Sequence, residues 1–574
     1  MDVRMQIEIQ KILEYRDIFP NEALLDIDCI LKKYNRDLLI RIVNALGMNY
    51  GNAYMPDTTL FSEKSALRVR ELNERINKYA PNLIDTRVCY CTQRTILELL
   101  RHILSIPVEK YKNNYDEKDL EYDIFRIVLQ LNENLMRFSN GIGDKCVPEY
   151  LYFLSYVLND VIDAEWKETT RTQLFYFFCL KEFLEKKDNR QLYDRLCDRL
   201  GVTTLKEYWC TIFGLICLYV NQQKADGNSC PYLDLKNQKL LSKDLCDYLS
   251  LDINGTYLYD TDDVNNRDNN IDYRVFRSHP LITSNNGQYI LYNLPLLCER
   301  LYNGLFFDIK SVYGGNFFNF YNSKFVEQQL FQNIMTECVG DKTTVYYPKK
   351  EDIGGAEIEG QPDFYIREQN SVILFECKGI KLNGCLKDES DISRIVDELR
   401  NKLFMSSIDI DKQRTKKKKE NAVGVAQLIN QIELVKNGRF PLDEMIPSDV
   451  LYYPILVIED PKIVRLGLTS MVNIWYQQLL KEHLVGIRLN PIIVMSINTL
   501  FLYKDVFCES GFAIVFNDFL KDNFEYNNDG ISWTANPTAD FNSYMKGKYR
   551  ISDSASNYVK EHVNTILKEF ESFK

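Results

Sequence analysis

Pro362-Asp363-Phe364-Tyr365-Ile366, followed by Val372-Ile373-Leu374-Phe375-Glu376-Cys377-Lys378-Gly379, is the stretch on which the reading of this chain turns. Phe364 to Ile366 and Val372 to Phe375 are runs of aromatic and β-branched residues, separated by the polar Glu368-Gln369-Asn370-Ser371. They read as two strands of a hairpin. A turn centred on Gln369-Asn370, with Asn accepting the positive φ a tight hairpin needs, pairs Ile366 with Ile373, Tyr365 with Leu374 and Phe364 with Phe375. The same register sets Asp363 opposite Glu376. Directly opposed side chains have Cβ atoms about 4.5–5.5 Å apart, where like charges repel.

Such a pair calls for a positive partner. A hard cation such as Mg²⁺ takes oxygen ligands, keeps several waters and needs only one or two carboxylates. Lys378 lies two residues past Glu376, on the same sheet face. Ile373, Phe375 and Cys377 lie on the other face, while Val372 and Leu374 make the Glu376 face apolar as well. The strand is therefore expected to be central and covered on both sides.

In these residues, Pro362-Asp363 and Glu376-Cys377-Lys378 in a hairpin, the chain resembles the PD-(D/E)XK nuclease superfamily. The resemblance implies an α/β restriction-endonuclease-like core, a mixed sheet flanked by helices. It implies a Mg²⁺ or Mn²⁺ cofactor held by Asp363 and Glu376, helped by the backbone carbonyl of Cys377. Lys378 would orient or activate the attacking water. Members often open with a helix whose glutamate approaches the metal; on the amphipathic stretch Ser323 to Ile334 that residue is Glu327. Many carry a glutamine on the helix after the Glu-x-Lys strand. Gln427 and Gln431 share a face of the helical pattern Gly424 to Val435, and Gln427 is the first choice for a catalytic role.

Around this hairpin the pattern is α/β. Thr343 to Tyr347 supplies the preceding strand, and Leu451 to Ile458 and Pro491 to Met495 read as buried strands joined through a helix over about 464–484, hence parallel. The domain is expected to span 311–520. An insertion over 383–420 carries a helix, Ile392 to Met405, and the basic run Lys412-Gln-Arg414-Thr-Lys416-Lys417-Lys418-Lys419. Lysine and arginine contacts to phosphate supply sequence-independent nucleic-acid affinity, so Lys412, Arg414 and Lys416 to Lys419 are the expected nucleic-acid contacts.

The remainder is less specific. Residues 1–250 show helical periodicity with no chemical motif and are expected to bind a protein partner or substrate, or to self-associate. Residues 251–310 read as an Asp/Asn-rich linker and a small hairpin, with Tyr273 to Phe276 and Tyr289 to Tyr292 as strands around Asn285-Asn286-Gly287. Residues 521–574 read as an extension, irregular over Tyr526 to Tyr549, ending in a helix over Asn557 to Phe573. The net charge of −11 over 574 residues argues against a generally basic coat, so any DNA or RNA contact should be local. Fifteen cysteines without a Cys-x-x-Cys pair fit free thiols of a cytoplasmic protein. The absence of a signal-peptide pattern points the same way. The apolar run Trp209 to Val220 is too short to span a bilayer, so no membrane contact is expected. Four scattered histidines and the lack of a Gly-x-x-x-x-Gly-Lys-Ser/Thr loop support neither His-based catalysis nor ATP-driven action. The expected activity is a metal-dependent nuclease, an endonuclease, acting on DNA in preference to RNA, in a setting such as antiviral defence. A catalytically silent nuclease-fold binding or scaffold module is the alternative.

Overall fold

The computed structural model describes residues 11–49, 66–79, 88–89, 91–112, 119–135, 166–226, 232–233, 241–252, 273–283, 288–349, 360–381, 392–410, 417–443, 445–447, 449–483, 487–527 and 532–572. Helices and mixed sheets alternate through this chain.

The hairpin forms in the expected register. Strand Phe364–Glu368 runs antiparallel to Ser371–Lys378, with Phe364 opposite Phe375 and Glu368 opposite Ser371. The turn is the two-residue Gln369-Asn370, but the positive φ falls on Gln369, at 51°, and not on Asn370. A tight hairpin needs a left-handed backbone at its first central position in either primed turn type, and here Gln369 carries that strain.

Ser371–Lys378 is the middle strand of its sheet. Val345–Tyr347 extends the sheet antiparallel beyond Phe364–Glu368, and Leu451–Ile458 lies parallel on the other side. Arg488–Leu489 and Ile493–Ser496 both pair parallel to Leu451–Ile458. The break between them has a cause in Pro454. The carbonyl of Tyr452 accepts from Asn490 N–H at 3.0 Å, so even-numbered residues of this strand address that neighbour. Pro454 has no N–H to donate there. Asn473, on helix Leu468–His483, takes over: its side chain accepts from Ile492 N–H (2.9 Å) and donates to Ile492 C=O (2.8 Å).

Period-2 alternation divides the central strand between two layers. Phe364 and Phe375 face a continuous helix over 317–338 and helix Phe512–Asn523, with ring centroids 6.3 Å from Phe375 to Phe331 and 5.4 Å to Phe512. Tyr365, Leu374 and Glu376 face helix Val425–Lys436 and the Phe440 loop; the Tyr365 and Phe440 rings lie 4.7 Å apart. Both faces are thus covered, and Val372 to Phe375 are fully buried.

The described residues form two apolar cores. One joins the sheet to helices Trp166–Glu185, Arg190–Leu200 and Leu205–Asp226. The other is built mainly from residues 13–131. Packing therefore does not divide at residue 250. A four-stranded sheet, in the order Tyr232–Leu233, Tyr289–Leu291, Leu281–Thr283, Ser250–Asp252, stands between the cores. Leu281, Tyr289 and Leu291 enter the first core, and Ile282, Ile290 and Leu251 the second. The small hairpin expected over 251–310 is in this sense a partition. Its first strand is Leu281–Thr283 and not Tyr273 to Phe276, which enters helix Arg274–Ser278. The strand nearest the turn pairs, because a distant one would have to close a longer loop. Asn285 to Gly287 lie outside the described residues.

Three further expectations change. Ile392–Leu403 is helical, but Met405–Ile410 forms a ribbon with Lys417–Ala422, so Lys417 to Lys419 lie on a strand. The described residues of this tail hold strands Phe524–Tyr526 and Trp533–Ala535 and helix Phe541–Lys548, where an irregular run over Tyr526 to Tyr549 is expected. The last helix is Asp553–Ser572. No helix among the described residues is long and apolar enough to cross a membrane.

Glu368 ties the hairpin to the layer below. Its buried carboxylate accepts the first two N–H groups of helix Phe512–Asn523, from Phe512 at 3.0 Å and Ala513 at 2.9 Å. Those donors have no partner within the helix. Replacing Glu368 by Ala should lower the unfolding free energy by about 1–3 kcal/mol in chemical denaturation, with Glu368→Gln in between.

Candidate active site

The site is assembled where the hairpin strands end. Continuing the register one step past Phe364 brings Asp363 opposite Glu376, and a second step brings Pro362 opposite Cys377. In a two-residue hairpin closed by Glu368 and Ser371, the Pro362–Cys377 position is one where both strands exchange main-chain bonds. Pro362 has no N–H to offer, so the ladder cannot supply a donor to the Cys377 carbonyl. The Cys377 N–H goes instead to Asp363 Oδ2, at 2.7 Å. The Pro-Asp doublet thus ends the ladder, turns the Asp363 carboxylate onto the neighbouring strand, and leaves a carbonyl beside it.

Glu376 is nearly sealed, with 2% of its surface exposed. Lys378 Nζ lies 2.5 Å from its Oε1, and Gln431 Nε2 donates to Oε2 at 2.5 Å. A buried carboxylate needs such satisfaction, and removing one partner of a buried ion pair costs about 3–5 kcal/mol. Lys378 is held protonated: burial opposes its charge, but Glu376, Asp363 and Glu327 together push its pKa above the ordinary lysine value. The Asp363 pKa rises too, which for a carboxyl favours the neutral form. Lost hydration first, then the Glu376 charge and more weakly Glu327, raise it well above the usual range, against Lys378 and the Cys377 N–H. The Cys377 thiol is also pushed well up, chiefly by burial, so it is a neutral core group and not a thiolate.

Gln427 does not reach this centre. It is the third residue of its helix, and its Oε1 curls back to accept the Gly424 N–H at 2.8 Å. That is the geometry of a residue closing a helix N-terminus. Gln431, one turn on, is buried and carries the contact to Glu376. The helix start at Gly424 was the available signal.

Glu327 is brought to the site by unusual winding. Within the 317–338 helix, Tyr321–Phe331 is a π-helix, a form found mostly as short bulges and often at functional positions. Gly379, just after Lys378, lies close against this helix: a Cβ there would stand 2.4 Å from Asn322 Oδ1, which would have to move. The negative charge of Glu327 is felt at Asp363, Cys377 and Lys378.

A second polar group, not anticipated from the sequence, lies at the same strand ends. Glu459 follows strand Leu451–Ile458, and its N–H donates to Lys378 C=O at 3.0 Å. Its buried carboxylate lies 2.8 Å from Lys381 Nζ and accepts Tyr302 OH at 2.9 Å; the Tyr302 hydroxyl also bonds Tyr321. Alternation places Glu459 on the Cys377 side. Burial raises the Glu459 pKa and Lys381 lowers it. The signal was the acidic doublet Glu459-Asp460 directly after an apolar strand. The group pins the Lys378 to Lys381 segment.

The basic run is only partly in view. Lys412, Arg414 and Lys416 lie outside the described residues. Lys417, Lys418 and Lys419 stand opposite Ile410, Asp409 and Ile408 in the two-stranded ribbon.

Among the described residues no three His, Cys, Asp or Glu side chains converge as a metal cage. The donor set at hand is two carboxylates, Asp363 and Glu376, with the Cys377 carbonyl, which suits an oxygen-seeking ion that keeps its waters. Asp363 is raised by burial first and by the Glu376 charge second. Comparison with protein-family models, curated proteins and solved structures gave no match for this chain.

A stability test follows. With divalent ions chelated, the folded protein holds the Asp363 proton more tightly than the unfolded chain, whose carboxyl titrates near 3.8. Stability from this group therefore falls as pH rises above about 3.8 and levels off past the raised folded value. Asp363→Asn, which can still accept the Cys377 N–H, should melt higher than the native protein at neutral pH, with the gap closing towards pH 4. Mn²⁺ should raise the melting temperature of the native protein and not of the variant.

Proposed function

We propose that this chain is a metal-dependent nuclease with a restriction-endonuclease-like core, hydrolysing phosphodiester bonds and acting on DNA in preference to RNA. The observation that carries the reading is the Asp363–Glu376–Lys378 constellation, set by one hairpin register at the ends of the central strands. With helix Ile392–Leu403 and its ribbon set aside as an insertion, the order of elements supports it: a helix carrying Glu327, three strands, a helix carrying Gln431, then strand, helix, strand. Ligand sites in open α/β sheets favour the carboxyl ends of parallel strands, and Ser371–Lys378 and Leu451–Ile458 end there together.

Asp363 and Glu376, with the Cys377 carbonyl, would hold Mg²⁺ or Mn²⁺, and Glu327 is near enough in charge to assist. When bound, the ion lowers the pKa of a water and offsets charge on the phosphate. Gln431 keeps the Glu376 carboxylate in one orientation. Lys378, firmly protonated, serves as a charged clamp that orients the attacking water and stabilises developing charge; it is not a base. Entry of substrate requires its ammonium to share itself between Glu376 and the phosphate.

The silent-module reading has one observation in its favour: Lys378 and Gln431 already satisfy both Glu376 oxygens. Calorimetric titration with Mn²⁺ separates the two, since a silent module takes up no ion at this centre. Plasmid, linear DNA and RNA incubated with Mg²⁺ or Mn²⁺ test the activity. Asp363→Asn and Lys378→Ala should each reduce cleavage by about 10²–10³-fold or more. Lys378→Ala should also destabilise the fold by stranding Glu376. Undiminished cutting by Asp363→Asn overturns the assignment.

The lysine ribbon is the proposed phosphate contact. Changing Lys417, Lys418 and Lys419 to Gln should weaken binding and flatten the salt dependence by roughly 0.9 in log–log slope per lost contact, measured by anisotropy from low to high salt.

A further inference from the structure

We propose that Phe307, Tyr313 and Phe318, with Lys310 and Lys324, form a stacking platform for unpaired bases beside the cleavage site, so that the strand to be cut is held single-stranded. The proposal rests on the nuclease reading and specifies its substrate.

Helix Asn303–Tyr313 buries Leu305, Phe306 and Ile309 but leaves Phe307 54% exposed. Gly314 and Gly315, both at positive φ with open space around them, reverse the chain. Phe317 then returns to the core, while Phe318 is 39% and Tyr313 38% exposed. Exposed apolar side chains gathered in this way mark interaction sites, whereas single ones need no explanation. These rings are also held. Phe306 lies 5.2 Å from Phe307 and 5.5 Å from Phe318, and Tyr313 stacks on Phe320 at 4.6 Å. A platform fixed in advance loses little freedom when a base lands on it.

The charge around the rings suits a polyanion. Residues 303–324 contain three charged side chains, Asp308, Lys310 and Lys324. Asp308 is buried against Arg300 at 2.5 Å, so the exposed charge is the two lysines, in a chain of net charge −11. Lys310 Nζ lies over the Phe318 ring, 4.9 Å from its centroid, so one ring face carries a cation that a phosphate can draw away. Aromatic rings interleaved with cations are how proteins bind single strands, because each unpaired base has a π-face and each link a phosphate. A duplex keeps its bases stacked on one another and offers only phosphates.

The platform is continuous with the site. Asn322 packs on Gly379, the residue after Lys378. Tyr321 next to it lies 4.9 Å from Phe306, and Lys381 Nζ lies 5.7 Å from the same Phe306 ring.

The test is fluorescence anisotropy with the full chain in EDTA, using a labelled single-stranded DNA, the same sequence as RNA, and a blunt DNA duplex. Phe307→Ala/Phe318→Ala should weaken single-strand binding about tenfold or more in whichever of DNA or RNA binds tighter, and leave duplex binding within twofold. Phe307→Tyr/Phe318→Tyr should restore it, and Lys310→Glu should weaken it. Unchanged single-strand affinity in the Ala pair, or equal loss on the duplex, overturns the platform. If the Ala pair misfolds, the Lys310→Glu and Tyr-pair results decide. Cleavage is scored separately with Mn²⁺. Ring-dependent binding with no cutting of any substrate sinks the nuclease reading alone, and cutting with ring-independent binding sinks the platform alone.

Discussion

The register of one hairpin governs this molecule. A two-residue turn at Gln369-Asn370 forces Glu368 opposite Ser371, and every pair beyond it follows. Because side chains alternate with a period of two, a slip of one residue would turn Phe375 and Cys377 outward from their helices and push Glu376 and Lys378 into the aromatic layer. Both faces of the strand are buried, so no other register is tolerated. The same turn places Glu368 under the Phe512 helix, which couples the hairpin to the layer that covers it.

Electrostatics at the far end of the strand divides into a satisfied and an unsatisfied part. Both Glu376 oxygens are partnered, one by Lys378 and one by Gln431, while Gln431 Oε1 is buried without a hydrogen-bond partner. Asp363 is the remainder: it accepts one main-chain bond, yet carries the repulsion of Glu376 and Glu327. A purely structural ion pair would have no use for this second carboxylate. It stands next to a carbonyl that Pro362 cannot serve. The nearby Lys381–Glu459–Tyr302 set, by contrast, is closed and holds the strand ends in place.

Particular residues show where sequence reasoning was sufficient and where it stopped. The pairing of Phe364 with Phe375 followed from strand composition and a short polar turn, both local. The Gln427 assignment failed because helical spacing gives a shared face but not the direction of a flexible side chain. At the start of a helix, unpaired N–H groups compete for it, and Gly424 won. The Tyr273 strand failed because β-propensity marks more segments than a sheet can pair. Closure of the Leu281–Leu291 hairpin selected the nearer one. The lysine run gives no strand signal because charge hides strand periodicity; pairing with Met405–Ile410 is a long-range choice.

By itself the sequence determined the hairpin, the parallel strands after it and the meeting of Asp363, Glu376 and Lys378 at one strand end, because turn chemistry and period-2 alternation act over a few residues. Tertiary structure alone decided that Gln431 holds Glu376, that Glu327 arrives on a π-wound helix against Gly379, and that Glu459 closes the neighbouring strand. It also decided that the small sheet separates two cores, and that Phe307 and Phe318 stay in solvent while Phe306 and Phe317 are buried. In each case the contact joins segments far apart in the chain, and packing of whole elements, which no local pattern encodes, selects the partner.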